Sequence, residues 1–529
     1  MTLPRRIWHV GTMMLLLLFL LSARLVYWQL MREELRPPLF RPIVSAAPAE
    51  GRLIKTIDAE TLARFADLPQ PAQQRAAALL AQIDRGAILD RHGQPLAFDE
   101  VDEQGVVVRR YPLPAAAHTV GYVSRFGLGL AGAELAFNEE LLGLDRLDSS
   151  FRRMINRPIT GSDVYLTVDS RTQAAAVEAM GGRPGAVVVM DGVGGGILAM
   201  VSNPGYDPNR ILDPAYAEEI LNCPGGDCPA LLNRATQGLY TPGSTWKTVT
   251  LIAALDSGQV TPDTVFDFGE PRRGPDGIYY VYEVDGAEMI DPNHDERRLN
   301  LVQSYAVSAN AAFARLGDEM PAQTTIDYTT ALGFGQGSGP TPLEIGAGET
   351  QLAADLQELI DNNVLQAATG FGQGELLVTP LSMAVMVTAV INQGDLPQPH
   401  LLWRVAAPSG SIQEQAGRRL WRENVIRPET AQQVADMMVE AARRTTGVSG
   451  SIPGVTIGGK TGTAQLGGDQ APHAWFIGFA HDGQNTVAIA VVAENAGSGS
   501  RVAAPIFAQV AQAALQHLAQ PPGAQEPGS

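Results

Sequence analysis

Two apolar strand signals near the middle of the chain and three near its end bracket a long helical stretch. This bracketing limits the fold more than any other feature. Gly185 to Met190 and Ile197 to Val201 are apolar runs around the turn Asp191-Gly192-Val193-Gly194-Gly195-Gly196, a hairpin signal. Val455 to Ala464, Trp475 to Ala480 and Thr486 to Glu494 are the later strands. Between them, residues 244–400 read mainly as helices, broken by the glycine-rich loop Gly333 to Gly348. A chain that leaves a sheet, builds helices and returns to strands closes most economically as one α+β domain. Its antiparallel sheet then draws on both ends of the segment. Asp163 to Asp169 alternates as a further strand, and Ser170 can cap a helix from Arg171 to Met180 that stops at Gly181-Gly182. A last helix spans Pro505 to Leu518, and residues 519–529 form a Pro/Gly/Gln-rich tail expected to be disordered.

The other end of the chain behaves differently. From Ile7 to Ala23 there are 17 residues without Asp, Glu, Lys or Arg, and Leu25 to Leu30 extends the apolar character past Arg24. A helix of about 20 residues spans a bilayer. Arg5 and Arg6 favour a cytoplasmic N-terminus, and Tyr27 and Trp28 suit the far interface. Residues 1–30 are therefore expected to be a cytoplasmic stub and uncleaved transmembrane anchor, with the remainder extracytoplasmic. The alternative is a signal peptide cleaved near Leu21-Ser22-Ala23, a weak site that the apolar stretch outruns. Residues 31–160 read as a Pro/Ala-rich stalk, with a helix from Pro71 to Ile83, and a β-rich module beyond it.

Composition excludes several functions. Acidic residues outnumber basic ones 56 to 38, giving a formal charge of −18, so a broad nucleic-acid-binding face is not expected. The 2 cysteines and 8 histidines form no CxxC or HExxH, so no metal or other cofactor is expected. Cys223 and Cys228 flank a Pro/Gly loop, and outside the cytoplasm a disulfide between them is expected, with two free thiols as the alternative.

Three short motifs carry chemistry. In Tyr240-Thr241-Pro242-Gly243-Ser244-Thr245-Trp246-Lys247, Ser244 opens an apolar helix and Lys247 lies three residues on, on the same face. A serine hydroxyl needs a neighbouring base to become a nucleophile. Lysine serves when burial or another cation leaves its amine neutral. In Tyr305 to Phe313, Ser308 can relay a proton and Asn310 can hold a substrate amide. In Gly458-Gly459-Lys460-Thr461-Gly462-Thr463-Ala464-Gln465, Lys460 offers charge for a carboxylate and depresses a nearby lysine. Thr461 and Thr463 offer hydroxyls, and the glycines admit another chain close to the strand. Taken singly, each motif also reads as a helix cap with a surface lysine, as two backbone-bonded helix polar groups, or as an ordinary edge strand.

In this order, S-x-x-K, S-x-N and K-T-G are the active-serine set of penicillin-binding proteins and class A β-lactamases. The chain resembles the class B, monofunctional transpeptidase type. Arg85 to Ala97, His118 to Tyr122 and Gly132 to Leu141 are similar to that family's non-catalytic module. Leu198 to Pro204, Asp207-Pro208-Asn209, Asn233-Arg234-Ala235, Gly372-Gln373-Gly374 and Thr379-Pro380-Leu381 are similar to its catalytic domain. The resemblance implies a transpeptidase domain over 161–518, with a five-stranded antiparallel sheet flanked by helices and a helical subdomain. It implies a D,D-transpeptidase that cross-links peptidoglycan stem peptides at D-Ala-D-Ala from a lipid-linked precursor and is acylated by β-lactams. Catalytic roles fall to Ser244, Lys247, Ser308, Asn310 and Lys460, and substrate binding to Thr461, Gly462 and Thr463. The backbone N–H groups of Ser244 and Thr463 become the oxyanion hole. A membrane glycosyltransferase of the shape, elongation, division and sporulation (SEDS) type is the implied partner. Two alternatives stay open: a D,D-carboxypeptidase or β-lactamase-like hydrolase, and a β-lactam-binding scaffold that regulates a glycosyltransferase. Glu296-Arg297-Arg298-Leu299-Asn300 has the form of the β-lactamase deacylation loop but precedes Ser308 instead of following it, and is read as a helix lead-in.

Overall fold

The early apolar runs are strands β1 (Gly185–Asp191) and β2 (Ile197–Asn203). The later ones are β3 (Thr456–Ala464), β4 (His473–His481) and β5 (Thr486–Ala493). Together they form one antiparallel sheet in the order β3-β4-β5-β1-β2, which leaves β3 as an edge. The structure, a computed structural model, describes residues 83–519 apart from 125–126, 145–158, 222–228, 276, 293, 447, 449 and 468–469. The apolar run Ile7 to Ala23, the stalk, Cys223 and Cys228, and residues 520–529 lie outside the described residues. Among the described residues no helix is long and apolar enough to cross a membrane.

β1 is an unbroken apolar run because both faces of the sheet are covered. Val187 and Val189 pack into one core with Phe476 and Phe507, while Ala186, Val188 and Met190 pack into another with Trp246 and Leu381. Helix α1 (Ser170–Met180) precedes β1. The insertion between β2 and β3 carries, among others, α2 (Lys247–Asp256), α3 (Leu301–Ala306), α4 (Asn310–Glu319) and α5 (Pro380–Ile391). Helix α6 (Ala503–Leu518) follows β5. Helices α1 and α6 close the first face, and Phe507 of α6 meets Phe476 of β4 with ring centroids 4.6 Å apart. The insertion closes the second face. Helix α2 is buried from Lys247 to Leu255, which accounts for its apolar character all round.

Three expectations need correcting. The insertion is not mainly helical throughout, because residues 265–300 contain five strands. Val265–Asp267 pairs with Arg298–Asn300, and Arg272–Gly274, Gly277–Val284 and Ala287–Asp291 form a three-stranded antiparallel sheet. The signal was local: a β-branched and aromatic run ending at Asp285-Gly286, the two residues of a tight hairpin, both with positive φ. Ser170 is the first residue of α1 and not its cap. The Asp169 carboxylate, one residue earlier, accepts from the N–H groups of Arg171 and Thr172. Ile83 lies in a short strand, Ile83–Asp84, and not at the end of a helix. The stretch 296–300 does lead into a helix: Asn300 caps α3 through a reciprocal pair of hydrogen bonds with Gln303.

The part before residue 160 is joined to the catalytic half by a second sheet. Asp163–Leu166 runs parallel to Ile88–Leu89 and antiparallel to Leu402–Ala406 in a six-stranded sheet. Beside it, Glu134 is fully buried between Arg85 (2.7 Å) and Arg109 (2.7 Å). Burial works against an ionised Glu134, but the two guanidinium groups outweigh it and hold the carboxyl below its ordinary range.

Candidate active site

Ser244 sits in the 3-10 turn Gly243–Thr245 that runs directly into α2, half-buried at the mouth of the sheet. Several bonds hold this turn. Thr245 Oγ1 donates to Pro242 O (2.7 Å), and Trp475 Nε1 on β4 donates to Thr241 O (3.1 Å). The turn also lies close against the edge strand. A Cβ on Gly462 would stand 2.9 Å from Pro242 O, from Thr245 Cγ2 and from Trp475 Cβ, so only glycine fits. On the other side, Gly372 has φ +89 and touches Gly243 O, so the Gly372-Gln373-Gly374 segment clamps the same turn.

Lys247 and Lys460 enter from α2 and β3 and meet over Ser308. Both side chains are buried, with relative exposures of 0% and 2%. Lys247 Nζ lies 2.7 Å from Ser308 O, 2.7 Å from Asn310 Oδ1 and 3.2 Å from Ser308 Oγ. Lys460 Nζ donates to the same Ser308 Oγ (2.9 Å) and to Thr461 O (3.2 Å). Ser308 holds this place in a left-handed conformation, φ +64, between α3 and α4. Aromatic faces surround the amines: Phe313 lies 5.6 Å from Lys247 Nζ and Tyr305 lies 5.8 Å from Lys460 Nζ.

Two cations cannot share a dry site at ordinary lysine ionisation. Burial, then the Lys460 charge, hold the Lys247 amine well below its usual range, with Asp291 pulling the other way. Burial lowers Lys460 to about 7. One proton is therefore easily exchanged across the pair, through a hydroxyl that touches both amines.

The structure thus brings Lys247, Ser308, Asn310 and Lys460 into one hydrogen-bonded group. Ser244, Thr461, Gly462 and Thr463 are placed along the adjoining turn and edge strand. Thr461 and Thr463 lie on the face of β3 opposite Lys460, and Thr463 is exposed. Asn310 Nδ2 donates to Ile290 O (3.0 Å), so one N–H of its amide remains for a substrate. Residues given no role in the sequence analysis also build the site. Tyr240 OH and Arg234 Nε both donate to Glu494 Oε1 (2.7 and 2.8 Å), tying the approach to Ser244 to the end of β5. Asp291 and His294 are buried behind Asn310. The Asp-x-x-His spacing beside a capped helix was their only signal, and it does not distinguish a buried pair from a surface loop. Among the described residues no group of three or more His, Cys, Asp or Glu could hold a metal.

Comparison with known proteins agrees with this geometry. Residues 185–512 match the family model "Penicillin binding protein transpeptidase domain". The chain is 32% identical over 456 residues to "Peptidoglycan D,D-transpeptidase PbpA" of Mycobacterium tuberculosis, covering 80% of this chain and 88% of that protein. It is 27% identical over 470 residues to "Peptidoglycan D,D-transpeptidase MrdA" of Escherichia coli, covering 77% and 71%. Among solved structures, penicillin-binding protein A from M. tuberculosis as an imipenem acyl-enzyme superposes with a TM-score of 0.73. It has 30% identity and covers 83% of this chain and 100% of that one.

Gly462→Ala forces the Ser244 turn off β3. It is expected to slow acylation of Ser244 by a β-lactam about 100-fold, the usual cost of an ångström-scale misplacement. Stopped-flow labelling measures this, and an unchanged rate contradicts the close-approach argument.

Proposed function

The chain belongs to the penicillin-binding protein transpeptidase family, and we propose that Ser244 is the nucleophile through which its peptidoglycan D,D-transpeptidase activity runs. The enzyme is a serine acyltransferase that β-lactams also acylate. The observation that supports this assignment of roles is Ser308 Oγ standing between two buried lysine amines beside the Ser244 turn.

Ser244 Oγ attacks the carbonyl of the penultimate D-Ala, and Lys247 takes its proton. The N–H groups of Ser244 and Thr463 hold the developing oxyanion, each such donor being worth about 3–4 kcal/mol of barrier. The C–N bond to the terminal D-Ala breaks, and its nitrogen receives a proton passed from Lys247 through Ser308. An amine from a neighbouring stem peptide then attacks the ester and gives up a proton to Lys247; the C–O bond to Ser244 breaks, and Lys247 returns that proton to Ser244 Oγ. The edge strand β3 holds the terminal carboxylate, with Lys460 supplying charge from the side of Ser308 and Thr461 and Thr463 supplying hydroxyls from its other face, and Gly462 lets that strand lie against the turn. Asn310 orients Lys247 through Oδ1 and offers its remaining N–H to the donor peptide. When Lys247 is neutral, its two N–H groups satisfy Ser308 O and Asn310 Oδ1, and its one lone pair is left for the Ser244 proton. That leaves the relay ready without a histidine. Glu296, the β-lactamase-like acid, is exposed and stands before the cap of α3, which favours transfer to an amine over hydrolysis.

The remaining assignments rest on the sequence. Residues 1–30 anchor the chain in the cell membrane as a single pass, and 31–160 form the non-catalytic module. Residues 161–518 form the extracytoplasmic transpeptidase domain. A SEDS-type glycosyltransferase docks on the anchor and module. The apolar run Ile7 to Ala23 supports the anchor, and the resemblance of Arg85 to Leu141 to the family module supports the docking.

Three outcomes test these roles. Ser244→Ala is expected to abolish labelling by fluorescent penicillin and to fail to complement a depleted strain. Persistent labelling excludes Ser244 as nucleophile, and complementation supports the scaffold reading. The second-order acylation rate is expected to be bell-shaped in pH. Lys247 must lose its proton to act, so the rate rises through its lowered ionisation. Lys460 must keep its charge, so the rate falls as pH climbs past about 7. A flat profile contradicts both roles. Co-purification of a SEDS-type glycosyltransferase is expected to be lost when residues 1–160 are replaced by an unrelated anchor; retention excludes this docking site.

A further inference from the structure

Behind the two lysines lies a buried acid–histidine pair that the mechanism above does not use. Asp291 ends the strand Ala287–Asp291 and its side chain has no exposure. Its Oδ2 accepts the N–H of Ala311 in the first turn of α4 (2.8 Å), and His294 Nε2 faces the same oxygen at 3.4 Å. The His294 side chain is 1% exposed. Its ring stacks on Tyr280 (centroids 5.0 Å, 14°) and lies 4.5 Å from the Phe268 ring. Its Nδ1 stands 2.9 Å from Glu296 O, which can only accept, so Nδ1 carries a proton. Nε2 then faces a carboxylate. The neighbouring residue completes the grip, since Ile290 O accepts from Asn310 Nδ2 (3.0 Å) while Asn310 Oδ1 accepts from Lys247 (2.7 Å). Two consecutive residues of one strand thus hold two consecutive residues of α4, and one of those holds the base.

We propose that Asp291 and His294 are positioning residues for Lys247: Asp291 sets its charge state as its counter-charge, and the His294 ring and the Ala311 N–H hold the Asp291 carboxylate in place. This rests on Lys247 being the base for Ser244. A carboxylate near Lys247 favours the ammonium, which cannot accept the Ser244 proton. The pull of Asp291 on Lys247 agrees with this. Asp291 itself stays ionised, since burial opposes its charge but His294, Lys247 and the Ala311 N–H outweigh that. The charged and titratable groups around the pair are Lys247 on α2, Tyr280 on the strand Gly277–Val284, and Asp295 and Glu296 on the pair's own loop. Lys460 on β3 faces Lys247 from the far side of Ser308.

The test is the pH profile of acylation by fluorescent penicillin in the full chain with Asp291→Asn and, separately, His294→Gln. Asn keeps an acceptor for the Ala311 N–H and removes the charge. The acid limb is expected to move about one unit to lower pH, the shift typical of losing a nearby opposite charge. Gln leaves the Asp291 charge in place, so the acid limb is expected to stay with the parent's. A displacement in one variant and none in the other is what a merely structural role does not produce. An Asp291→Asn limb that coincides with the parent, limbs that move together, or labelling lost at every pH overturn the proposal. The Ser244 assignment fails separately, by labelling that survives Ser244→Ala in the otherwise unaltered chain.

Discussion

Two lysine amines meeting at one serine hydroxyl, out of contact with bulk water, is the constraint on which the rest of this structure depends. Ammonium groups are costly to bury, and a pair of them costs more. The site meets this by lowering both ionisations and by giving each amine a short bond to oxygen. The result is a base of modest strength next to a retained cation. A serine transferase without a catalytic histidine needs both of these. The aromatic walls formed by Phe313 and Tyr305 keep the site dry, and attraction to their faces offsets part of the desolvation.

The fold makes this arrangement possible by joining segments far apart in sequence. Lys247 rides on a helix buried nearly all round, so its side chain has nowhere to go but inward. Lys460 projects from an edge strand of the sheet. Ser308 occupies the break between two helices, in a backbone conformation that the surrounding packing must impose. Gly462 and Gly372 allow turn, strand and loop to approach to backbone contact. The sheet itself supplies rigidity, because β1, β4 and β5 are buried on both faces.

Much of this was legible in the sequence because its carriers are local. The sheet strands are apolar runs long enough to declare themselves. The Ser244–Lys247 spacing places both on one helix face, and the order of the three motifs excludes chance. What was not legible is what depends on tertiary partners. Asp169 and Ser170 are equally good helix caps by type, and only the fold selects the aspartate. Most strands between residues 265 and 300 span three to five residues, too short for a period to show, and only Gly277–Val284 carries a β-branched and aromatic run. Lys247 was expected beside Ser244, yet its hydrogen bonds run to Ser308 and Asn310, because those acceptors arrive from a different part of the chain. Asp291 and His294 carry no distinct signal, since nothing in a linear pattern shows that the rings of Tyr280 and Phe268 will close over the histidine.

The central claim is that burial and the Lys460 charge hold the Lys247 amine well below the ordinary lysine range. The most direct measurement is an NMR titration of protein carrying 13C at the lysine ε-carbon, with the Lys247 signal assigned by its loss in Lys247→Arg. The account predicts that this carbon titrates well below the ordinary lysine range and that Lys247 loses its proton before Lys460 does. A Lys247 signal that stays protonated up to the range of a free lysine, about 10.4, would contradict it.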